Sequence, residues 1–163
     1  MPNALLTYGL LAALAIALAV AAATDIATRR ISNRLNAAIA LAAPLFWWAS
    51  GLSLWPGVAV QLALAAVTLA LCAGLFAIRA IGGGDVKLLA ALALWIEPAA
   101  FARLVVAMAL LGGVLTLLMI AARARRGRGE RLAVPYGVAI AAAGLWVLAS
   151  GALGPEGAAL IAG

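Results

Sequence analysis

The stretch Leu35–Ile78, LNAAIALAAPLFWWASGLSLWPGVAVQLALAAVTLALCAGLFAI, carries no charged residue. A hydrocarbon core about 30 Å thick takes roughly 20 apolar residues in a helix, so the stretch has the length of two crossings. Its middle holds the turn signals Ser50-Gly51-Leu52-Ser53 and Trp55-Pro56-Gly57. Trp47, Trp48 and Trp55 flank that turn, and tryptophan favours the membrane–water interface. The pattern predicts helices at about 35–50 and 57–78 that meet where the chain surfaces.

The same reading extends outward. Residues 4–23 form an apolar run with no Lys or Arg before it, so a signal peptide with a basic leading region is not expected. Further helices are expected at about 85–97, 100–122 and 133–151. The helix from Asp85 to Glu97 would rise only about 20 Å, so it needs a locally thin membrane or shielding by its neighbours. Residues 1–163 are therefore expected to form one all-α polytopic membrane domain of six transmembrane helices, the fourth short. The composition agrees: 68% of residues are hydrophobic and 10% charged. A soluble domain could not cover its surface with so few polar groups.

Charge sets the expected orientation. If the loop after the first helix is cytoplasmic, so are those after the third and fifth. Arg103 is then the one basic residue on the other side, as the positive-inside rule requires, and both termini lie outside the cytoplasm. The net charge of +6 thus reads as topology rather than nucleic-acid binding. The basic loop Arg123–Arg131 is a topology signal in the same sense, with anionic lipid or a partner subunit as its other reading.

The chain has no histidine and the single cysteine Cys72. A Ser-His-Asp triad, a Cys-His pair, an HExxH zinc site and a thiolate metal cage are excluded, and no metal or other cofactor is expected. Acid–base chemistry must draw mainly on the five carboxylates, Asp25, Asp85, Glu97, Glu130 and Glu156, or on Lys87. Asp25 ends the first expected helix and Asp85 starts the fourth, so span parity puts both on one membrane face, the cytoplasmic one. Carboxylates at a membrane edge are costly without a partner or a function.

Each has a structural reading. Asp85 follows Gly82-Gly83-Gly84 and suits a helix N-cap, and Asp25 has Arg29 four residues on for an ion pair. Together they also suit peptide hydrolysis, in which an ionised carboxylate activates water and a protonated one polarises the carbonyl. Two close carboxyl groups naturally share one proton. The glycine run would let a substrate backbone approach, and is expected to be a loop because each glycine opposes helix by about 1 kcal/mol. The partial charges at helix ends favour Asp85 as base and Asp25 as acid, whereas Arg29 and Arg30 argue the reverse if they contact Asp25.

Gly82–Leu89, GGGDVKLL, resembles the GxGD motif of membrane aspartic peptidases in the form carried by type IV prepilin peptidases. Asp25–Asn33, DIATRRISN, resembles that family's first aspartate segment. Val134–Gly144, VPYGVAIAAAG, resembles its third landmark, with Val138 where many members have proline; Ser32 likewise replaces a common proline. The resemblance implies that Asp25 and Asp85 are the catalytic dyad and Gly82 and Gly84 the motif glycines. Gly83, Lys87, Pro135, Tyr136 and Gly137 would line or support the site. It also implies a prepilin or pilin-like precursor as substrate, cut after glycine at the cytoplasmic face. The paired-cysteine segment linked to N-methylation is not in the sequence, so the resemblance is to the short, peptidase-only branch, the Flp (tight-adherence) type being preferred. Membrane lipid is the other expected partner, and the oligomeric state is left open.

Three other readings compete. A small cation-coupled transporter or channel could use the same aspartates, but its site would lie near the midplane. A non-catalytic subunit could use the glycines for helix packing. A signal-peptide-peptidase-like enzyme would usually carry Tyr before the first aspartate, where this chain has Thr24.

Overall fold

The computed structural model describes residues 3–126 and 136–152. Most of the expected basic loop, and Pro135, lie outside the described residues. Six helices are present: α1 (Ala4–Thr28), α2 (Asn33–Ser50), α3 (Ala59–Ala77), α4 (Gly83–Ala93), α5 (Pro98–Arg126) and α6 (Tyr136–Ala152). A π-helical turn, Leu54–Val58, leads into α3. The described residues are all-α.

Helix ends follow local chemistry more than the apolar runs do. α1 continues past Ala23 to Thr28, and its polar Thr24 and Thr28 hydroxyls bond back to the carbonyls of Val20 and Thr24, at 2.9 and 2.8 Å. Asp25 therefore lies inside the last turn. α2 begins after Ser32, whose hydroxyl accepts the Leu35 N–H at 3.2 Å. Serine at this position is an N-cap. α5 begins at Pro98, whose fixed φ suits the first helical position.

α4 corrects two expectations. Gly82 is the N-cap, so Gly83 and Gly84 are helical and Asp85 is the third helical residue rather than the cap. The glycine run is thus only partly a loop. First-turn N–H groups have no intrahelical acceptor, so glycine there sacrifices little helix bonding. The helix also ends at Ala93 instead of reaching Glu97.

α4 is the centre of the packing. It adjoins α2, α3 and α6, while α1 packs on α2 and α6, and α5 on α6. Val86, Leu88, Leu89, Ala91, Leu92 and Ala93 are all buried. So short a helix is shielded by its neighbours. A helix that stops inside an apolar layer leaves carbonyls without water, and each must find a donor. The Trp47 indole donates to the Leu94 carbonyl at 2.7 Å. The Gln61 amide, oriented by its surroundings, donates to the carbonyls of Ala93 and Ile96 at 2.8 and 3.0 Å. In return the Trp95 indole donates to Ile39 in α2 at 2.9 Å, and its ring stacks on Phe46. Gln61→Leu keeps the bulk and removes both donors. It is expected to cost about 1–3 kcal/mol, seen as a lower Tm in detergent; an unchanged Tm would mean that these carbonyls need no partner.

The outer faces are apolar. Ile16, Leu62, Val67, Leu71, Val106, Leu110, Leu117 and Leu118 are all exposed. α1, the stretch from Leu54 through α3, and α5 as far as Ala122 are each long and apolar enough to cross a membrane. Unpartnered apolar surface on several such helices is the pattern of a multi-pass membrane protein.

Candidate active site

Asp25 and Asp85 come to one place from opposite ends of two helices. Asp25 is in the last turn of α1 and Asp85 in the first turn of α4. Two adjoining cleft lobes, of about 590 and 710 Å³, are both lined by Asp25, Arg29, Gly82 and Asp85. The first lobe extends along the α1–α2 linker through Arg30, Ser32 and Asn33. The second is more apolar, with Phe76, Ile81 and Tyr136 beside Arg79. Arg29 and Arg79 end α1 and follow α3 in left-handed backbone, φ 55° and 61°. Each turns the chain sharply at the rim of the cleft.

The two carboxyl groups sit in different surroundings. Asp25 is 6% exposed, and its Oδ2 is buried with no hydrogen-bond partner among the described residues. Arg29 does not supply one; its link to Asp25 is the backbone bond from its N–H to the Asp25 carbonyl at 2.9 Å. Oδ2 instead lies against Gly137 at the start of α6, where a Cβ would fall 2.8 Å away. Asp85 is half-buried, in the first turn of α4.

The glycines make room. A Cβ on Gly82 would lie 2.8 Å from Asp85 Oδ2, and one on Gly83 3.2 Å from the Phe76 ring. Gly84 serves the framework: its carbonyl accepts the Asn36 amide at 3.1 Å. Lys87 is exposed and donates to Asn33 Oδ1 at 2.8 Å, tying α4 to the start of α2 rather than entering the cleft. Tyr136 lines the second lobe, its ring seated where a Cβ on Gly112 would fall. Asn36, Phe76 and Arg79 were not among the sequence candidates. Asn36 alone had a signal, as a polar residue within an apolar run.

The family profile described as the type IV leader peptidase family matches residues 12–117, a span that holds both aspartates and all three glycines. The chain belongs to that family. No curated protein and no solved structure matches it. Membership makes this multi-pass membrane protein a peptidase, and the cleft shared by Asp25 and Asp85 is its candidate active site.

Proposed function

We propose that the chain is a membrane aspartic endopeptidase that removes the leader of a pilin-like precursor, cutting after glycine at the cytoplasmic face with Asp25 and Asp85 as the dyad. One observation carries this reading: the two carboxyl groups line a single cleft beside three glycines, in a chain without histidine. In the reaction one carboxylate takes a proton from water as the water oxygen attacks the scissile carbonyl. The other carboxyl, protonated, donates to the carbonyl oxygen. The tetrahedral intermediate then collapses, the C–N bond breaks and the amine leaves with a proton from the dyad.

In this topology six helices cross, with α4 enclosed by α2, α3 and α6. The N-terminal end of α1 and the C-terminal end of α6 lie outside the cytoplasm. The α1–α2 and α3–α4 connections, with Arg29, Arg30 and Arg79, face the cytoplasm, where the positive-inside rule puts them. Leader and mature segments would lie in the two lobes on either side of the dyad. Tyr136 and Gly137 line and close the site, and Lys87 supports it through Asn33. The proposal is for cleavage without N-methylation, Cys72 having no second cysteine to pair with, and for an Flp-type precursor.

The test is co-expression with an Flp-type prepilin, followed by mass spectrometry of the product. The expected product begins immediately after the leader glycine and has an unmethylated N-terminus. A precursor left whole by folded wild-type protein, across Flp-type and other prepilins, would sink the reading.

A further inference from the structure

Ile31 stands among basic and polar residues, in ATRRISN, on the non-helical linker between α1 and α2. An apolar side chain there would be expected on the surface, yet Ile31 is only 7% exposed. Two glycines from two other helices accommodate it. A Cβ on Gly84 of α4 would lie 3.2 Å from Ile31 Cβ and 3.3 Å from its carbonyl oxygen. A Cβ on Gly137 of α6 would lie 2.8 Å from Ile31 Cδ1 and equally 2.8 Å from Asp25 Oδ2. Gly84 immediately precedes Asp85. The residue thus touches the segment that carries one carboxyl and the glycine that abuts the other, while lining the cleft between them.

We infer that Ile31 is a positioning residue that sets the separation of Asp25 and Asp85. Its branched Cβ fixes where the first turn of α4, and so Asp85, sits relative to the linker. Its Cδ1 fills the space beside Gly137 on which Asp25 Oδ2 also bears. The Asn36–Gly84 bond holds the same joint from α2. Close packing transmits such contacts because interiors have little free volume to absorb a shift, and a displacement of about 1 Å between reacting groups costs on the order of 100-fold in rate.

This inference rests on Asp25 and Asp85 being the dyad, and the experiment separates the two. Purified full-length variants are compared with wild type on one cleaved prepilin, measuring kcat, KM and Tm. Ile31→Ala is expected to lower kcat by about tenfold or more while KM stays within about twofold. Ile31→Val, which keeps the branched Cβ and loses only Cδ1, should lose only a few-fold. Gly137→Ala should lose less in the Ile31→Val background than in wild type, because one of its two clashes is gone. A purely structural role would lower Tm and the yield of active enzyme without this kcat-selective, coupled pattern. Wild-type kcat in Ile31→Ala, or strict additivity of Gly137→Ala with Ile31→Val, overturns the inference. If Ile31→Ala does not fold, Ile31→Val decides alone: a few-fold kcat loss at constant KM supports it, and unchanged kcat overturns it. Cleavage surviving in Asp25→Asn and Asp85→Asn would instead defeat the dyad.

Discussion

Asp25→Asn and Asp85→Asn are each expected to lower leader cleavage by about 100- to 10,000-fold without a large loss of stability. The range is that of a lost general acid or base. An amide can neither take the proton of water nor give one to the leaving amine, and the partner carboxyl left alone cannot do both. The stability signs follow from the two environments. Oδ2 of Asp25 is buried without a partner among the described residues, and a buried polar atom without a hydrogen bond costs the fold stability. Asp25→Asn should therefore leave Tm unchanged or raise it, as when a functional group is held at the expense of stability. Asp85 occupies the first turn of α4. Asp85→Asn removes a negative charge from a helix N-terminus, worth about 0.3–1 kcal/mol, but also the repulsion between two carboxyl groups at one cleft, so Tm should change little. The two readouts are initial cleavage rate and thermal unfolding in the same detergent. A large Tm loss in Asp25→Asn with cleavage intact would make Asp25 a structural residue and end the dyad reading.

The parts of the molecule that composition governs were legible before any coordinates. Apolar runs are long or short whatever they pack against, so the number of helices and the brevity of α4 could be read directly. Span parity then brought Asp25 and Asp85 to one end of the helices, because alternation needs no knowledge of contacts. Distant partners could not be read. The start of α4 moved to Gly83 because first-turn residues need no intrahelical acceptor, so the glycine penalty that suggested a loop did not decide the matter. Asn36 bonds the Gly84 carbonyl, 48 residues away, and Gln61 in α3 meets the end of α4; no local pattern specifies either partner. Ile31 lay within a basic segment whose other residues are mostly exposed, and nothing local predicted its burial. In each case the deciding atom belongs to another helix.

Gly82→Ala and Gly84→Ala, the same change two residues apart, are expected to fail in different ways. Gly82 has φ −76° and ψ 144°, a conformation that alanine adopts freely. The added methyl would meet only Asp85 Oδ2, at 2.8 Å, the far end of a side chain that can rotate away. Gly82→Ala should therefore fold with a Tm close to wild type, the smaller freedom of alanine in the unfolded chain offsetting its poorer fit at an N-cap. Its carboxyl, displaced by about 1 Å, should cleave on the order of 100-fold more slowly. At Gly84 the methyl would meet the Cβ, carbonyl oxygen and nitrogen of Ile31, at 3.2–3.4 Å. Two of these are backbone atoms of the buried Ile31 and cannot rotate aside. Relief requires the first turn of α4 to shift, which also strains the Asn36 bond to the Gly84 carbonyl. Overpacking of this kind costs about 1–3 kcal/mol, so Gly84→Ala should lose both Tm and activity. If the glycines served only to admit substrate, both variants would keep wild-type stability and lose activity alike. If they served only to pack helices, Gly82→Ala would cleave normally. The separation of rate from stability at Gly82, and their joint loss at Gly84, distinguishes a glycine that frees the carboxyl from one that holds its helix in place.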